Sequence, residues 1–120
     1  VTAALDAIPS PILVGVGGAA GALARHAVDG LLNGGRRSTF AVNVVGSTLL
    51  GALVAASPPA ATLALIGTGF CGAFTTFSSF AVNVSRALDT GRVDLALADA
   101  AGTLVAALAG VGLGSVLVGV

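Results

Sequence analysis

Residues 69–80 read GFCGAFTTFSSF, and four of the chain's five phenylalanines, Phe70, Phe74, Phe77 and Phe80, fall inside them. Glycine and hydroxyl residues separate the rings, while the upstream flank ATLALI is almost pure hydrocarbon. A continuous helix satisfies its own backbone. Glycines at 67, 69 and 72 together with the pair Thr75–Thr76 favour an interruption instead. Non-helical backbone at membrane depth is tolerated only where it is buried in protein or lines a cavity. Such a break frees carbonyls for a cation and N–H groups for an anion. Phe74, Phe77 and Phe80 are spaced by three, so in a helical piece they form one stripe. An aromatic ring has a negative face and a positive edge. Ring edges can therefore meet an anion that has shed its water, without a fixed positive charge to trap it. Core packing is the ordinary role of such a stripe taken alone.

Composition decides the solvent. The 120 residues are 56% hydrophobic and 8% charged, with a mean hydropathy of +1.06. A soluble domain carries about 25% charged residues. Too few charges are present to coat a water-facing surface, which places the chain in a membrane. Net charge is zero, which argues against nucleic acid or an acidic substrate as partner. The chain has no tryptophan or tyrosine, so the usual interfacial aromatic belt is missing. A single cysteine, Cys71, excludes an internal disulfide and a thiolate metal cluster, and reads as a small buried apolar residue. No charged n-region and cleavage site precede the first apolar run, so no signal peptide is expected.

A spanning helix needs about 20 predominantly apolar residues. Four runs qualify: Ile12–Leu32 after the PSP at 9–11, Thr39–Ala56 before the SPP at 57–59, Ala60–Val84, and Leu95–Val120. The connections GGRRS, SPP and RALDTGRVD are too short for a soluble domain. The expected fold is an all-α membrane protein of four spans forming one unit, with the third span broken mid-membrane. Eighteen glycines suit close helix packing: Gly17-x-x-x-Gly21 in the first span, and a ridge of Gly102, Ala106, Gly110 and Gly114 in the fourth. Four helices leave little interior, which favours an oligomer. Arg36, Arg37, Arg86 and Arg92 fall in the first and third loops, which share a side. The positive-inside rule puts those loops in the cytoplasm and both termini outside.

Polar residues inside the spans mark pathways. Thr39, Asn43 and Ser47 are spaced i, i+4, i+8 in STFAVNVVGSTLLG and share one helix face. Arg25 lies well inside the first span, placed either to snorkel or to lend positive potential to an anion vestibule. His26 and Asp29 read as interfacial. Asp99 sits about one turn into the fourth span, where a headgroup-level carboxylate is the plain reading.

These motifs resemble the Fluc (CrcB) family of small fluoride channels over essentially the whole chain. Gly17, Gly18, Gly21, Ala22 and Arg25 match its first-span pattern. Thr39, Val42, Asn43, Gly46 and Ser47 match its second, with Ser38 and Phe40 departing. Residues 69–80 match the third-span signature G-F-C-G-G-F-T-T-F-S-T-F except at Ala73 and Ser79. The resemblance implies an antiparallel dimer with two narrow fluoride pores in the cell membrane, the inner one of a bacterium. It implies that the edges of Phe77 and Phe80 line the fluoride path and that Asn43 donates to the ion. It also implies that the carbonyls of Gly72 and Thr75 join their partner-chain counterparts around a central structural sodium ion. Arg25 would shape the vestibule. The family's fourth-span hydroxyl track falls here on Asp99 and Thr103. Thr103 keeps its hydroxyl, whereas Asp99 puts a carboxylate where the family has a phenol and would repel fluoride if it faced the pore.

The one-sided arginines leave a further possibility, that the chain is half of a heterodimer whose homologous partner inserts the other way, or a non-conducting partner subunit. A small multidrug exporter is also a four-span dimer, but proton coupling calls for an intramembrane carboxylate, usually an early glutamate, and the chain has no glutamate. The segment GVGGAAG at 15–21 lies inside a span with no strand before it, so a nucleotide site is not expected. No acid/base pair or activated nucleophile is apparent, and no enzyme activity is expected.

Overall fold

The computed structural model of the chain describes residues 2–119. A short helix α1 (Thr2–Asp6) leads into α2 (Ser10–Leu32). Pro11 lies in the first turn of α2, where its missing N–H has no intrahelical partner to lose. At the far end Asn33 adopts a left-handed conformation and its N–H bonds back to the Asp29 carbonyl. Gly34 and Gly35 follow at φ +65° and +73°, a region glycine enters without steric cost. These three residues reverse the chain into α3 (Gly35–Ala55). Arg36 and Arg37 are thus in the first turn of α3, not in a loop before a helix starting at Thr39. Apolar length marks the part of a helix that lies in hydrocarbon, and the helix itself runs further.

The third crossing is composite. Helix α4 (Ala60–Thr62) starts behind Pro59 and passes into a nine-residue π-helix, Leu63–Cys71, then α5 (Gly72–Phe74). Thr75 (φ −79°, ψ 163°) and Thr76 (φ −147°, ψ 118°) are extended. Helix α6 (Phe77–Asp89) follows. The glycines at 67, 69 and 72 all stay helical, and the extended backbone falls on the two threonines, β-branched residues that suit it. Thr76 also caps α6, its Oγ1 accepting the Ser79 N–H at 3.1 Å, which supplies one of the orphan amides of a helix start. Helix α6 continues past the expected end at Val84, carrying Arg86 and Asp89 beyond the apolar run. Gly91 (φ +75°) turns the chain into α7 (Val93–Gly119). The expected last residue of the fourth span, Val120, lies outside the described residues.

Packing runs through small residues. α3 packs most extensively on α7, and α2 on the π-helix. Gly17 and Gly21 press against the backbone carbonyls of Leu65 and Phe70, leaving no room for a Cβ. Gly114 presses likewise on the Thr48 carbonyl and Gly51 on that of Val111, while Gly110 meets the Thr48 hydroxyl. Only the Gly110–Gly114 half of the expected fourth-span ridge works this way, because Gly102 faces open space. The buried core is correspondingly slight: Leu13, Val42, Ala61, Cys71, Phe74, Ala87 and Ala96. Among the described residues four helical runs are long and apolar enough to cross a membrane, Ser10–Leu32, Gly35–Ala55, Ala60–Asp89 and Val93–Gly119. Leu97, Leu104, Leu108 and Leu117 of α7 point outward, an arrangement that water would penalise and lipid accepts. The chain is a multi-pass membrane protein.

Candidate functional site

The site is organised by one amide. Asn43, midway along α3, faces the extended threonines and engages both backbone groups of Thr76. The Thr76 N–H donates to Asn43 Oδ1 at 2.8 Å, and Asn43 Nδ2 donates to the Thr76 carbonyl at 3.0 Å. Asn43 thereby replaces the helical hydrogen bond that the Thr76 N–H loses at the break and adds a second one at the Thr76 carbonyl, each worth about 1 kcal/mol net and more if the buried N–H is left without a partner. Asn43 Nδ2 keeps one further N–H, since an amide carries two donors.

Two carbonyls lose their helical donors in consequence. The Thr76 N–H, which an α-helix would direct to the Gly72 carbonyl, is held by Asn43. The Ser79 N–H, which would serve Thr75, is held by Thr76 Oγ1. Gly72 is exposed, and a Cβ on it would touch nothing within 4 Å. Among the described residues no three His, Cys, Asp or Glu side chains cluster.

Seven of the residues singled out from the sequence, Asn43, Ser47, Gly72, Thr75, Phe77, Phe80 and Thr103, border one open cleft of about 420 Å³. Thr39 lies one turn from Asn43, outside the lining, and its Oγ1 accepts from Asn83 Nδ2 at 3.3 Å. The polar face of α3 therefore clamps the break and α6 through Asn43 and Thr39. Arg25 is not part of the cleft lining. It sits half-buried on α2. Thr76 and Leu104, also on the cleft wall, and Asn83 complete the arrangement. An in-span asparagine is a signal of the kind that singled out Asn43, and Asn83 carries the same signal.

The phenylalanines do not form one stripe. The break at Thr75 and Thr76 splits them. Phe74 is buried and stacks back on Phe70, with centroids 5.6 Å apart and planes 17° apart. Phe77 and Phe80 pair on α6 at 5.9 Å and 47°, and Phe77 is 78% exposed. The first pair is core, and the second presents its rings to the cleft and beyond. Asp99 does not stand alone either. Arg36 Nε donates to its Oδ2 at 2.7 Å, and Arg36 Nη2 donates to its Oδ1. Asp29 accepts from the buried Ser38 hydroxyl, tying the end of α2 to the start of α3.

The chain is similar to known proteins over most of its length. The "Fluoride-specific ion channel FluC 2" of Natronomonas pharaonis is 49% identical over 113 residues, 92% of this chain and 96% of the relative. A protein of the same name from Haloarcula marismortui is 46% identical over 112 residues, covering 89% and 92%. "Fluoride-specific ion channel FluC" of Pseudomonas fluorescens is 38% identical, covering 88% and 97%. The relatives thus include archaea and do not single out the bacterial source expected from the sequence. With residues 12–115 matching the family described as "CrcB-like protein, Camphor Resistance (CrcB)", the chain belongs to the CrcB-like protein family.

Proposed function

We propose that the chain is a subunit of a fluoride-selective channel that lets toxic fluoride leave the cell passively. The observation that carries this reading is the convergence, on one cleft, of the Phe77–Phe80 pair, the Asn43-pinned threonines and the Thr103 hydroxyl. The relatives' names point the same way. Fluoride is small and strongly hydrated, so a path through oil must replace its water. Hydroxyls of Thr103 and Ser47 and the second N–H of Asn43 are donors for that exchange. The positive rims of Phe77 and Phe80 add attraction without a cation that would hold the ion fast. Arg25, outside the cleft, contributes potential at its approach. The reading gives the chain no enzymatic role.

One chain leaves the cleft open on a side, and the exposed Gly72 beside it offers a flat approach. An antiparallel second subunit would close it and create two equivalent paths. The Gly72 and Thr75 carbonyls, freed from the helical ladder, suit a hard cation such as sodium. They would hold it with the partner's carbonyls at the centre of the dimer, where its charge would bind the subunits together.

Fluoride release from liposomes containing the purified chain, measured beside chloride release, tests the reading. Wild type is expected to release fluoride and not chloride, and Phe80→Ile to abolish the fluoride signal. Chloride flux equal to fluoride flux would overturn selectivity. A heterodimer is the second reading, and it is favoured by the arginines. Arg36 and Arg37 begin α3, Arg86 ends α6 and Arg92 precedes α7, all at one end of the molecule. A membrane-impermeant label on a terminal tag distinguishes the two. Labelling from one side alone supports a separate, oppositely inserted partner, and equal labelling removes it.

A further inference from the structure

The Arg36–Asp99 pair joins the first turn of α3 to the second turn of α7, ahead of the residues with which both helices line the cleft. Both carboxylate oxygens are engaged by one guanidinium, a bidentate contact that fixes geometry as well as charge. Asp99 stands one turn before Thr103, and Arg36 two turns before Asn43, and both of those residues line the cleft. The carboxylate is turned inward, its side chain 15% exposed against 50% for the guanidinium. Water therefore screens Asp99 less than Arg36. Without Arg36 an inward-facing negative charge would stand one turn from the cleft wall. Charges near a low-dielectric cleft focus along it, and set the entry rate of ions over about one to three powers of ten.

We propose that Arg36 is a conduction-determining residue: by cancelling the Asp99 carboxylate it keeps the α3–α7 end of the cleft open to an anion. The claim rests on the fluoride-channel reading and explains how this chain carries a carboxylate beside an anion path. Arg36 acts through Asp99 and need not touch the ion.

The test is fluoride efflux from liposomes containing purified variants, each checked for a single chromatographic species. Arg36→Gln should slow efflux about tenfold. Asp99→Asn alone should not slow it, and Arg36→Gln combined with Asp99→Asn should return to within about threefold of wild type. Arg36→Lys, which keeps the charge and loses the fork, should also stay within about threefold. If Asp99→Asn slows efflux as much as Arg36→Gln and the double variant stays slow, the pair is a mechanical clip and the proposal is overturned. A second readout needs no ion flow. With Thr103→Cys in a Cys71→Ala background, the new thiol is modified in detergent by an anionic and a cationic methanethiosulfonate. Arg36→Gln should lower the anionic-to-cationic rate ratio about tenfold, and an unchanged ratio overturns the proposal. A wild-type chain that released no fluoride by itself would sink the homodimeric channel reading, and the rate ratio would still decide this one.

Discussion

Gly21 and Gly72 are both small residues in the helical membrane body, and their surroundings are opposite. Gly21 lies so near the Phe70 backbone that hydrogen is the largest substituent it tolerates. Gly72 has nothing within 4 Å of where a Cβ would stand. The same contrast holds on α7 between Gly110, against Thr48, and Gly102, which faces nothing. Lipid tails give helices no hydrophobic reason to associate, so the first kind of glycine supplies packing by letting backbones touch. The second kind contributes nothing to the fold of a single chain. At Gly72 it keeps the surface flat beside the cleft. The difference separates glycines that build the subunit by close packing from glycines that face open space.

Substitutions can break this division. The largest effect is expected from Gly21→Val, whose branched side chain must displace the Phe70 backbone; overpacking of this kind costs about 3 kcal/mol or more where backbone has to move. It should yield no monodisperse protein on size-exclusion chromatography, and a normal yield would mean the α2 contact is loose. Phe74→Ala removes a buried, stacked ring and should cost about 3 kcal/mol in detergent unfolding. Phe77→Ala, on an exposed ring, should leave stability nearly unchanged while reducing fluoride efflux. Equal destabilisation by both would erase the distinction between the two ring pairs. Asn43→Ala strands the Thr76 N–H and removes a donor from its carbonyl, and should cost about 2 kcal/mol. Efflux should fall with it, because the break loses its fixed shape. Full efflux in that variant would show that the break holds without its anchor. The smallest effect is expected at Gly102→Ala. With open space at the site, relief of glycine's entropy should stabilise the subunit by about 0.5 kcal/mol, read as a slightly raised melting temperature.

The four crossings were readable because lipid demands a long apolar run, and that demand is local. Their ends were less so. Arg36 and Arg37 look like a loop because they are charged, yet a helix can carry charge into the headgroups without stopping. Nor is there a local mark for the wide coil at Leu63–Cys71, whose residues would also suit an α-helix. Glycines and the threonine pair together suggested an interruption; the glycines stay helical and the extended residues are Thr75 and Thr76, held by an amide 33 positions away. The partner of Asp99 is 63 positions away. Spacing along one helix brought Asn43 and Ser47 together correctly, and motif similarity added Phe77, Phe80 and Thr103. Contacts between distant helices, and the splitting of the phenylalanines into two pairs, depend on tertiary geometry that no window of sequence contains.

The coil from Leu63 to Cys71 bonds each residue to one five positions on, and so it winds through less angle per residue than its neighbours. It works as a phase adjuster. The bearing at which Thr75, Thr76 and both outward rings leave the crossing is set upstream, by how slowly those nine residues turn. Rewinding the same nine residues at ordinary α pitch would swing everything downstream around the helix axis. Phe77 and Phe80 would then be delivered to a different compass point, with every side chain of the cleft still present and none of them facing the same way.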